Sequence, residues 1–465
     1  MAKAYKTEFE LHHLYPSQLY DTLRNTILPT IFFDMSSYED RCILHDHKHL
    51  YSQDRRLRLS PHKPLRPYGA HVYPLPETVP EEEMVVSEED EKCSLTQQVF
   101  DPKNAPREGE SCKPDRDAYM EVQIVEMISG GYYSGYKPGP QKLLCRVVKE
   151  PSAFPFEGQQ EKPTQNQLLF LKVFDPLFWY KELDFTESMM KVPTLADSAF
   201  SDEFGVYHFL YGKELTGPNR SVFQRTGFFP SAPQFFGGWT TSVSSVDDDF
   251  AEKSRRVAIL ALEYIDGVSL EGLYIPSGPL RKTVTLYEED APVREFHTDQ
   301  DQRMQIMEQI LDGIVTQEHA GVDCTELDPG DIIITLRTSD QYLQKPRAVR
   351  VGYGRAIVDE LRTEPVEMWK EFPLKVHPLR RFRWTLLEDF HGWIPTEWRG
   401  PDDDVEDTPD LDLWMLNTFG TLIPRLNTRY SPFPRGVVRP PRPEATGSGV
   451  EGQPEATDAG REAEP

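Results

Sequence analysis

Between about residues 118 and 265 the chain repeats short apolar runs bounded by glycine and proline. Four of these runs, EVQIVEMI, QKLLCRVV, LLFLKVF and RVAILALEYI, either alternate or are continuously apolar over the length of a strand. Such runs predict β-strands. A helical candidate, SAFSDEFGVYHFLYG, lies between the last two. This order predicts an antiparallel sheet that carries one helix.

The next clear pattern is a long helix. In RMQIMEQILDGIVTQEHAG, apolar side chains recur on one helical face, and Gly321 supplies the left-handed residue that commonly ends a helix. The loop GVDCTELDPGD follows, and then two β-rich segments, DIIIT and RAVRV, with a polar turn between them. The pattern therefore predicts a helix, a loop and a hairpin in succession.

The two ends of the chain differ from this central part. Prolines and acids dominate residues 60–117, where the run EEEMVVSEEDEK is too charged to be buried. We therefore predict that residues 1–118 are an N-terminal extension with an acidic, proline-rich linker. After Pro434 the chain offers almost nothing apolar, so residues 432–465 are predicted to be a disordered tail.

Charge and cysteine usage narrow the class of protein. The 51 basic and 76 acidic residues give a net charge of -25, which repels phosphate backbones and anionic lipid surfaces. The 5 cysteines are scattered without a CxxC pair, as is usual in a reducing compartment. No window approaches the roughly 18 consecutive apolar residues of a membrane span. The sequence predicts a soluble intracellular protein that binds neither nucleic acid nor membrane.

Lys172, in the apolar run LLFLKVFDP, has two interpretations. It is either an edge-strand lysine that reaches water or a buried cation held for a ligand phosphate. The order of elements around it favours the second. A strand lysine, a helix with Glu203, the segments PQFFGGW and ILALEYIDGVSL, a long helix, a loop and a hairpin together resemble the protein-kinase family over about residues 119–358.

This resemblance implies an α+β, protein-kinase-like two-lobed fold. Residues 119–268 would form an N-lobe with an antiparallel sheet and one helix, and residues 269–431 a shortened, mainly helical C-lobe. The short second lobe resembles the divergent kinase-like proteins common in filamentous fungi. Lys172 would then hold the α- and β-phosphates of ATP, and Glu203 would pair with it.

The resemblance also implies where the rest of a nucleotide would lie. The backbone from Glu263 to Ile265 would meet the adenine edge in the hinge between the lobes. Gly130 and Gly131, in ISGGYYSGYKPGPQ, would let the backbone approach a phosphate. This segment lacks the G-x-G-x-x-G order of the family, so a plain turn is the alternative.

The catalytic positions all depart from the family pattern. Glu326 occupies the position of the base aspartate, Asp331 that of the metal-binding asparagine, and Gly352 that of the metal-binding aspartate. The longer Glu326 side chain displaces its carboxylate by ~1 Å, which costs on the order of 100-fold in rate. Asp331 could still bind a hard cation, whereas Gly352 removes the main metal ligand. ATP and Mg²⁺ are therefore expected to bind weakly or not at all.

Two functions follow from these departures. The leading hypothesis is a monomeric pseudokinase that acts through protein partners; the alternative is an active atypical protein kinase, or a small-molecule phosphotransferase, that uses ATP with Glu326 and Asp331. A third, purely structural role differs from the first only in lacking a nucleotide pocket. The sequence names neither the partner nor the substrate.

Two further motifs have alternative interpretations. The basic run RRLRLSPHKPLRP is either a nuclear-import address in an otherwise cytoplasmic protein or a charge partner for the acidic run that follows it. His45, His47 and His49 alternate and would bind zinc or nickel on a strand, but a polar surface segment fits them equally.

Overall fold

The computed structural model describes most of the central part of the chain. The described residues are 50–69, 72–109, 118–130, 139–153, 161–179, 190–226, 229–245, 250, 252–273, 283–286, 294–324, 327–338, 342–363, 374–390, 392–398 and 409–432.

The central feature is a closed, antiparallel, six-stranded barrel. Its strands are β1 Arg56–Pro61, β2 Met120–Ser129, β3 Gln141–Lys149, β4 Leu168–Phe174, β5 Phe235–Ser244 and β6 Ser254–Glu263, joined in the order β1-β2-β3-β4-β6-β5. The four strands predicted from apolar runs are β2, β3, β4 and β6, so those element predictions are confirmed. The strand β1 pairs with both β2 and β5 and thereby closes the sheet.

Closure makes the predicted protein-kinase-like two-lobed fold wrong. That fold requires an open N-lobe sheet and a mainly helical second lobe, whereas this sheet closes on itself. Beyond the barrel the described chain contains many short strands: β7 Val268–Ser269, β8 Thr283–Leu286, β9 Arg294–His297, β10 Val322–Asp323, β11 Ile332–Arg337, β12 Tyr342–Arg350, β13 Ile357–Val358, β14 Lys375–Val376 and β15 Tyr430–Ser431. Strands are therefore found throughout the region that was expected to be mainly helical.

The physical reason for the difference lies in β1. Its residues alternate strictly, with Arg56, Arg58 and Ser60 exposed and Leu57, Leu59 and Pro61 buried. A strand with this alternation fits a surface with one apolar and one polar face. The structure thus extends the folded part of the chain well upstream of residue 119.

Eight α-helices are found in the described residues, and four of them have eleven residues or more. They are α1 Glu81–Met84, α2 Glu88–Lys92, α3 Leu95–Val99, α4 Val192–Gly212, α5 Arg220–Thr226, α6 Gln300–Ala320, α7 Pro378–Glu388 and α8 Pro409–Phe419. The predicted long helix is α6. Asp299 caps its start, and Gly321 ends it with φ of 110°, as the sequence predicts.

Two apolar cores hold these elements. One fills the barrel, where side chains such as Leu59, Val122, Leu171 and Trp239 are fully buried. The other lies outside the barrel, where α4 packs on β4, β5 and β6. Side chains of α6, of the β11–β12 hairpin, of α7 and of α8 belong to the same apolar cluster. The candidate site lies in this second core, because the outward face of β4 points into it.

A segment before the acidic run fixes α4 from its other side. This segment, residues 62–69, is called the strap below. Tyr68 Oη donates to Asp197 Oδ2 at 2.7 Å, Ser198 Oγ donates to the Tyr68 carbonyl at 2.6 Å, and Ser201 Oγ donates to the Leu65 carbonyl at 2.8 Å. A Cβ at Gly205 would overlap the Pro67 ring, so glycine allows the strap to lie against the helix.

Candidate functional site

The site is centred on an ion pair between strand and helix. Lys172 projects from β4, and Glu203 projects from the middle of α4; Lys172 Nζ lies 2.5 Å from Glu203 Oε1. The side chains are only 8% and 2% exposed. The predicted approach of these two residues is confirmed. Lysine carries three N–H donors, so one bond to Glu203 leaves donors for a further acceptor.

An aromatic cluster supports Glu203 from the next turn of α4. The ring of Tyr207 meets that of Tyr353 edge-on, with centroids 5.0 Å apart, and Tyr207 Oη donates to the Val351 carbonyl at 3.3 Å. Gln317 Nε2 on α6 donates to Tyr353 Oη at 2.7 Å. Burial, followed by the nearby charge of Glu203, raises the pKa of Tyr207 well above its usual range. These phenols therefore stay neutral and act as rigid packing.

Asp331 reaches the same cluster from the loop after α6. A short 3₁₀ turn, Pro329–Asp331, is capped by Asp328, whose Oδ1 accepts from the Gly330 N–H at 2.7 Å. The carbonyl of Asp331 then accepts from the Val351 N–H at 2.8 Å. This bond fastens the loop to the end of the β11–β12 hairpin, directly before Gly352.

The carboxyl group of Asp331 fills the space beside Gly352. A Cβ built on Gly352 would overlap both the carboxyl carbon and the carboxylate oxygens of Asp331. The next glycine, Gly354, faces the ion pair, because a Cβ there would lie 4.0 Å from Glu203 Oε2. The resemblance implies metal ligands at positions 331 and 352. Together these two positions provide one carboxylate, that of Asp331, and a side chain at position 352 would displace that carboxylate.

Arg350 brings a positive charge to this carboxylate. Its Nε donates to the Gly352 carbonyl at 3.2 Å, and its guanidinium lies 5.0 Å from the centre of the Tyr353 ring. Burial lowers the pKa of Arg350, but nearby groups that include Cys324 and Asp331 outweigh it and raise that pKa. Arg350 is therefore a permanent cation whose charge acts on the Asp331 carboxylate.

The predicted hinge residues have structural roles of their own. Glu263 forms a buried ion pair with Arg347, with Oε1 and Nη1 2.9 Å apart, and its Oε2 accepts from the Gln234 N–H at 3.0 Å. The Glu263 amide N–H donates to the Gln234 carbonyl at 2.8 Å. Ile265 is buried. The adenine role expected of this segment stays a prediction, but the Glu263 N–H is already engaged.

Several predicted site residues cannot be placed. Glu326, Gly131 and the three histidines His45, His47 and His49 lie outside the described residues. Gly130 is described, and it is buried just after β2. The structure therefore brings together Lys172, Glu203 and Asp331 from the predicted set.

Arg347 and Arg350 are the site residues that sequence reasoning missed. Both lie in the β-rich segment RAVRV, where two arginines sit in an otherwise apolar strand. A charge in such a run is costly to bury unless it has a partner, so the pattern carried a signal for two buried ion partners. Nothing in the sequence identifies Glu263, which lies 84 positions away, as the partner of Arg347.

Comparisons with known proteins add no further assignment. No family model matches the chain, and no curated protein is significantly similar to it. Among the described residues no cluster of three or more histidine, cysteine or acidic side chains is arranged to hold a metal ion. None of the described helices is both long and apolar enough to cross a membrane.

Proposed function

We propose that this protein is a non-catalytic interaction protein of the pseudokinase kind, which binds ATP weakly or not at all and acts through protein partners. A non-catalytic interaction function does not require the two-lobed fold. Its main support is the packing of the Asp331 carboxyl group into the space beside Gly352.

That packing bears directly on phosphoryl transfer. Mg²⁺ needs a near-octahedral shell of oxygen atoms and usually takes one or two protein carboxylates together with phosphate oxygens. Here one carboxylate stands at the two implied metal positions, and Arg350 already supplies positive charge beside it. A bound nucleotide would therefore lack the metal alignment that in-line transfer requires.

The Lys172–Glu203 pair is compatible with this function without requiring a ligand. A buried ion pair can fix the position of a helix against a sheet, and here it joins α4 to the barrel. The interaction role is supported by the chain's charge, since a net charge of -25 favours association with positively charged surfaces of other proteins.

The test measures ATP turnover, autophosphorylation and thermal stability on the purified chain. We expect no turnover, and stabilisation by ~1 mM ATP with Mg²⁺ below about 0.4 kcal/mol, the value for a Kd equal to that concentration. Turnover that disappears in both Asp331→Asn and Glu326→Gln, but survives in the control Asp410→Asn at the exposed start of α8, would establish the atypical enzyme instead.

The structure also defines a variant that probes the carboxyl packing. Gly352→Ala should lower the free energy of unfolding by about 1–3 kcal/mol, because the new methyl group displaces Asp331 from a filled space. The control is Gly212→Ala at the end of α4, where a Cβ meets nothing within 4 Å. Equal stability of the two variants in urea denaturation would show that Asp331 does not occupy this space.

A further inference from the structure

The basic run that begins at Arg55 is folded into the barrel, and its alternation separates its charges from its apolar residues. On β1, Arg56 and Arg58 point outward and are exposed, while Leu57 and Leu59 point into the barrel core. The run therefore presents guanidinium groups on a rigid strand instead of an extended, flexible peptide.

Strand pairing gathers further cations beside them. Arg58 is opposite Glu121 on β2, which is opposite Lys149 on β3. Two residues earlier on β1, Arg56 is opposite Gln123 on β2, and Gln123 is opposite Arg146 on β3.

On the other side of β1, β5 extends the same surface to β6. Thr241 Oγ1 donates to the Arg58 carbonyl at 2.9 Å, and the neighbouring Ser242 is paired with Arg256 on β6. The outer face of β3, β2, β1, β5 and β6 thus carries five exposed cations, here called the basic face: Arg56, Arg58, Arg146, Lys149 and Arg256.

Three acids lie on or beside this surface. Glu121 lies within it, Glu126 is exposed further along β2, and Asp54 lies at its end, where Asp54 Oδ1 accepts from Gln123 Nε2 at 3.0 Å. Within the described part of the chain, none of the five cations is joined to a carboxylate by an ion pair.

A tyrosine orients two of the cations. The Arg58 guanidinium lies 3.9 Å and the Lys149 ammonium 3.7 Å from the centre of the Tyr119 ring. Such cation–π contacts restrict the side chains while leaving them exposed. A surface whose charged groups are already ordered loses less side-chain entropy when a partner binds.

The chain's own acidic run does not cover this face. In that run Met84 is buried, and Asp90 on α2 pairs with Lys191 at 3.0 Å, just before α4. The basic face is thus an exposed positive surface on a protein with a net charge of -25. Charge complementarity selects a negative partner for it.

The shape of the face selects among negative partners. Its cations lie on three of these five strands, β1, β3 and β6, on the convex outside of the barrel. Neighbouring strands are ~4.8 Å apart, and outward residues along a strand are ~6.6 Å apart. A single phosphate is better bound by convergent donors. A long nucleic acid would meet the repulsion of the whole molecule. An extended peptide segment with acidic residues at alternate positions matches the spacing of the cations. Each arginine guanidinium can donate two parallel hydrogen bonds to one carboxylate.

We propose that the basic face docks an acidic, extended peptide segment of a partner protein. This inference rests on the proposed interaction function and names the chemistry of the partner. The probe is the labelled synthetic peptide EEEMVVSEEDEK, whose sequence occurs in this chain, and its binding to the full chain is measured by fluorescence anisotropy. The reference peptide has glutamine and asparagine in place of the acids.

We expect the acidic peptide to bind in a salt-sensitive way. The double variant Arg56→Glu/Arg58→Glu should lower the affinity for the peptide on the order of tenfold, and Arg56→Gln/Arg58→Gln should lower it less. The matched control is Lys213→Glu/Arg380→Glu, which reverses two exposed cations outside the barrel. Circular dichroism and the melting temperature establish that each variant is folded.

Three outcomes would overturn the inference: equal losses in the basic-face and control variants, equal binding of the neutral peptide, or tighter binding of a DNA duplex of similar length. The proposed function fails separately, because it is tested by ATP turnover. Docking together with ATP turnover would retain the acidic-peptide site and reject the non-catalytic function.

Discussion

Lys172 and Glu203 are both buried, so neither charge can be removed alone without leaving the other in an apolar environment. Such a single removal typically costs 3–5 kcal/mol, whereas replacing both charges by apolar groups is often nearly neutral. The pair therefore has a stability role that is separable from any ligand role.

We expect Lys172→Met to lower the free energy of unfolding by about 3–5 kcal/mol, and Lys172→Met/Glu203→Leu to restore most of it. Urea denaturation of the two single variants, the double variant and the wild type gives the coupling energy. The control is Lys162→Met, which removes a partly exposed pair with Glu150 and should cost less than about 1 kcal/mol. If Lys172→Met left the free energy of unfolding unchanged, the Glu203 carboxylate would have to be solvated.

At the scale of single residues, a lysine in an apolar run indicates that a buried partner is needed, and the resemblance implies that Glu203 is that partner. The sequence does not predict the packing of Asp331 against Gly352. A loop and a hairpin lie between the two residues, and their distance along the chain does not give their distance in space. The same limit applies to Arg347, whose partner Glu263 lies 84 positions away along the chain.

At the scale of elements, the strap and α4 share a buried carboxyl group. Asp197 on α4 accepts hydrogen bonds from Tyr68 Oη and from the Arg107 N–H. Burial raises the pKa of Asp197 to about 6, against the lowering effects of the Tyr68 hydrogen bond and the Arg107 charge. The strap is therefore attached to α4 through a group that titrates in the folded state near neutral pH.

The sign of the pH dependence follows from that shift. Because the folded-state pKa of Asp197 lies above its usual value of 3.8, its contribution to stability is fully present below about pH 4 and is lost as the pH rises to about 6. A shift of this size corresponds to ~3 kcal/mol between the two limits.

Asp197→Asn removes this titration and keeps an acceptor for Tyr68. We expect wild-type stability, measured relative to the variant, to fall between about pH 4 and pH 6. Melting temperatures across this range provide the measurement, with Asp410→Asn as a control for the loss of one exposed charge. Parallel curves for wild type and Asp197→Asn would mean that the carboxyl is not buried under the strap.

Several of the longer elements could be predicted from the sequence. Four barrel strands and the helix α6 have long, regular apolar patterns, and local propensity agrees with their final structure. The strand β1 could not be assigned in the same way, because its six residues lie among prolines and basic residues. Its identity as a strand depends on β2 and β5, which are distant in the sequence, and closure of the barrel was missed for that reason.

At the scale of the whole molecule, β1 belongs to the barrel although composition alone assigns residues 1–118 to an extension. Leu59 is fully buried, whereas its neighbour Arg58 is exposed. We expect Leu59→Ala to lower the free energy of unfolding by about 2–5 kcal/mol and Arg58→Ala to change it by less than about 0.5 kcal/mol. Denaturant titration distinguishes them, and small, equal effects would contradict closure by β1.

Closure also determines how another protein can recognise the barrel. Each of the six strands is hydrogen-bonded to a neighbour on both sides, because β1 pairs with β2 and β5. An open sheet offers the backbone of its outer strand as a template onto which a foreign strand, or another copy, can be added. Among the described residues no barrel strand lies at an open edge of this sheet, so recognition of the barrel depends on its side chains. Surface substitutions can therefore change the binding specificity of the barrel while its backbone hydrogen bonds stay in place.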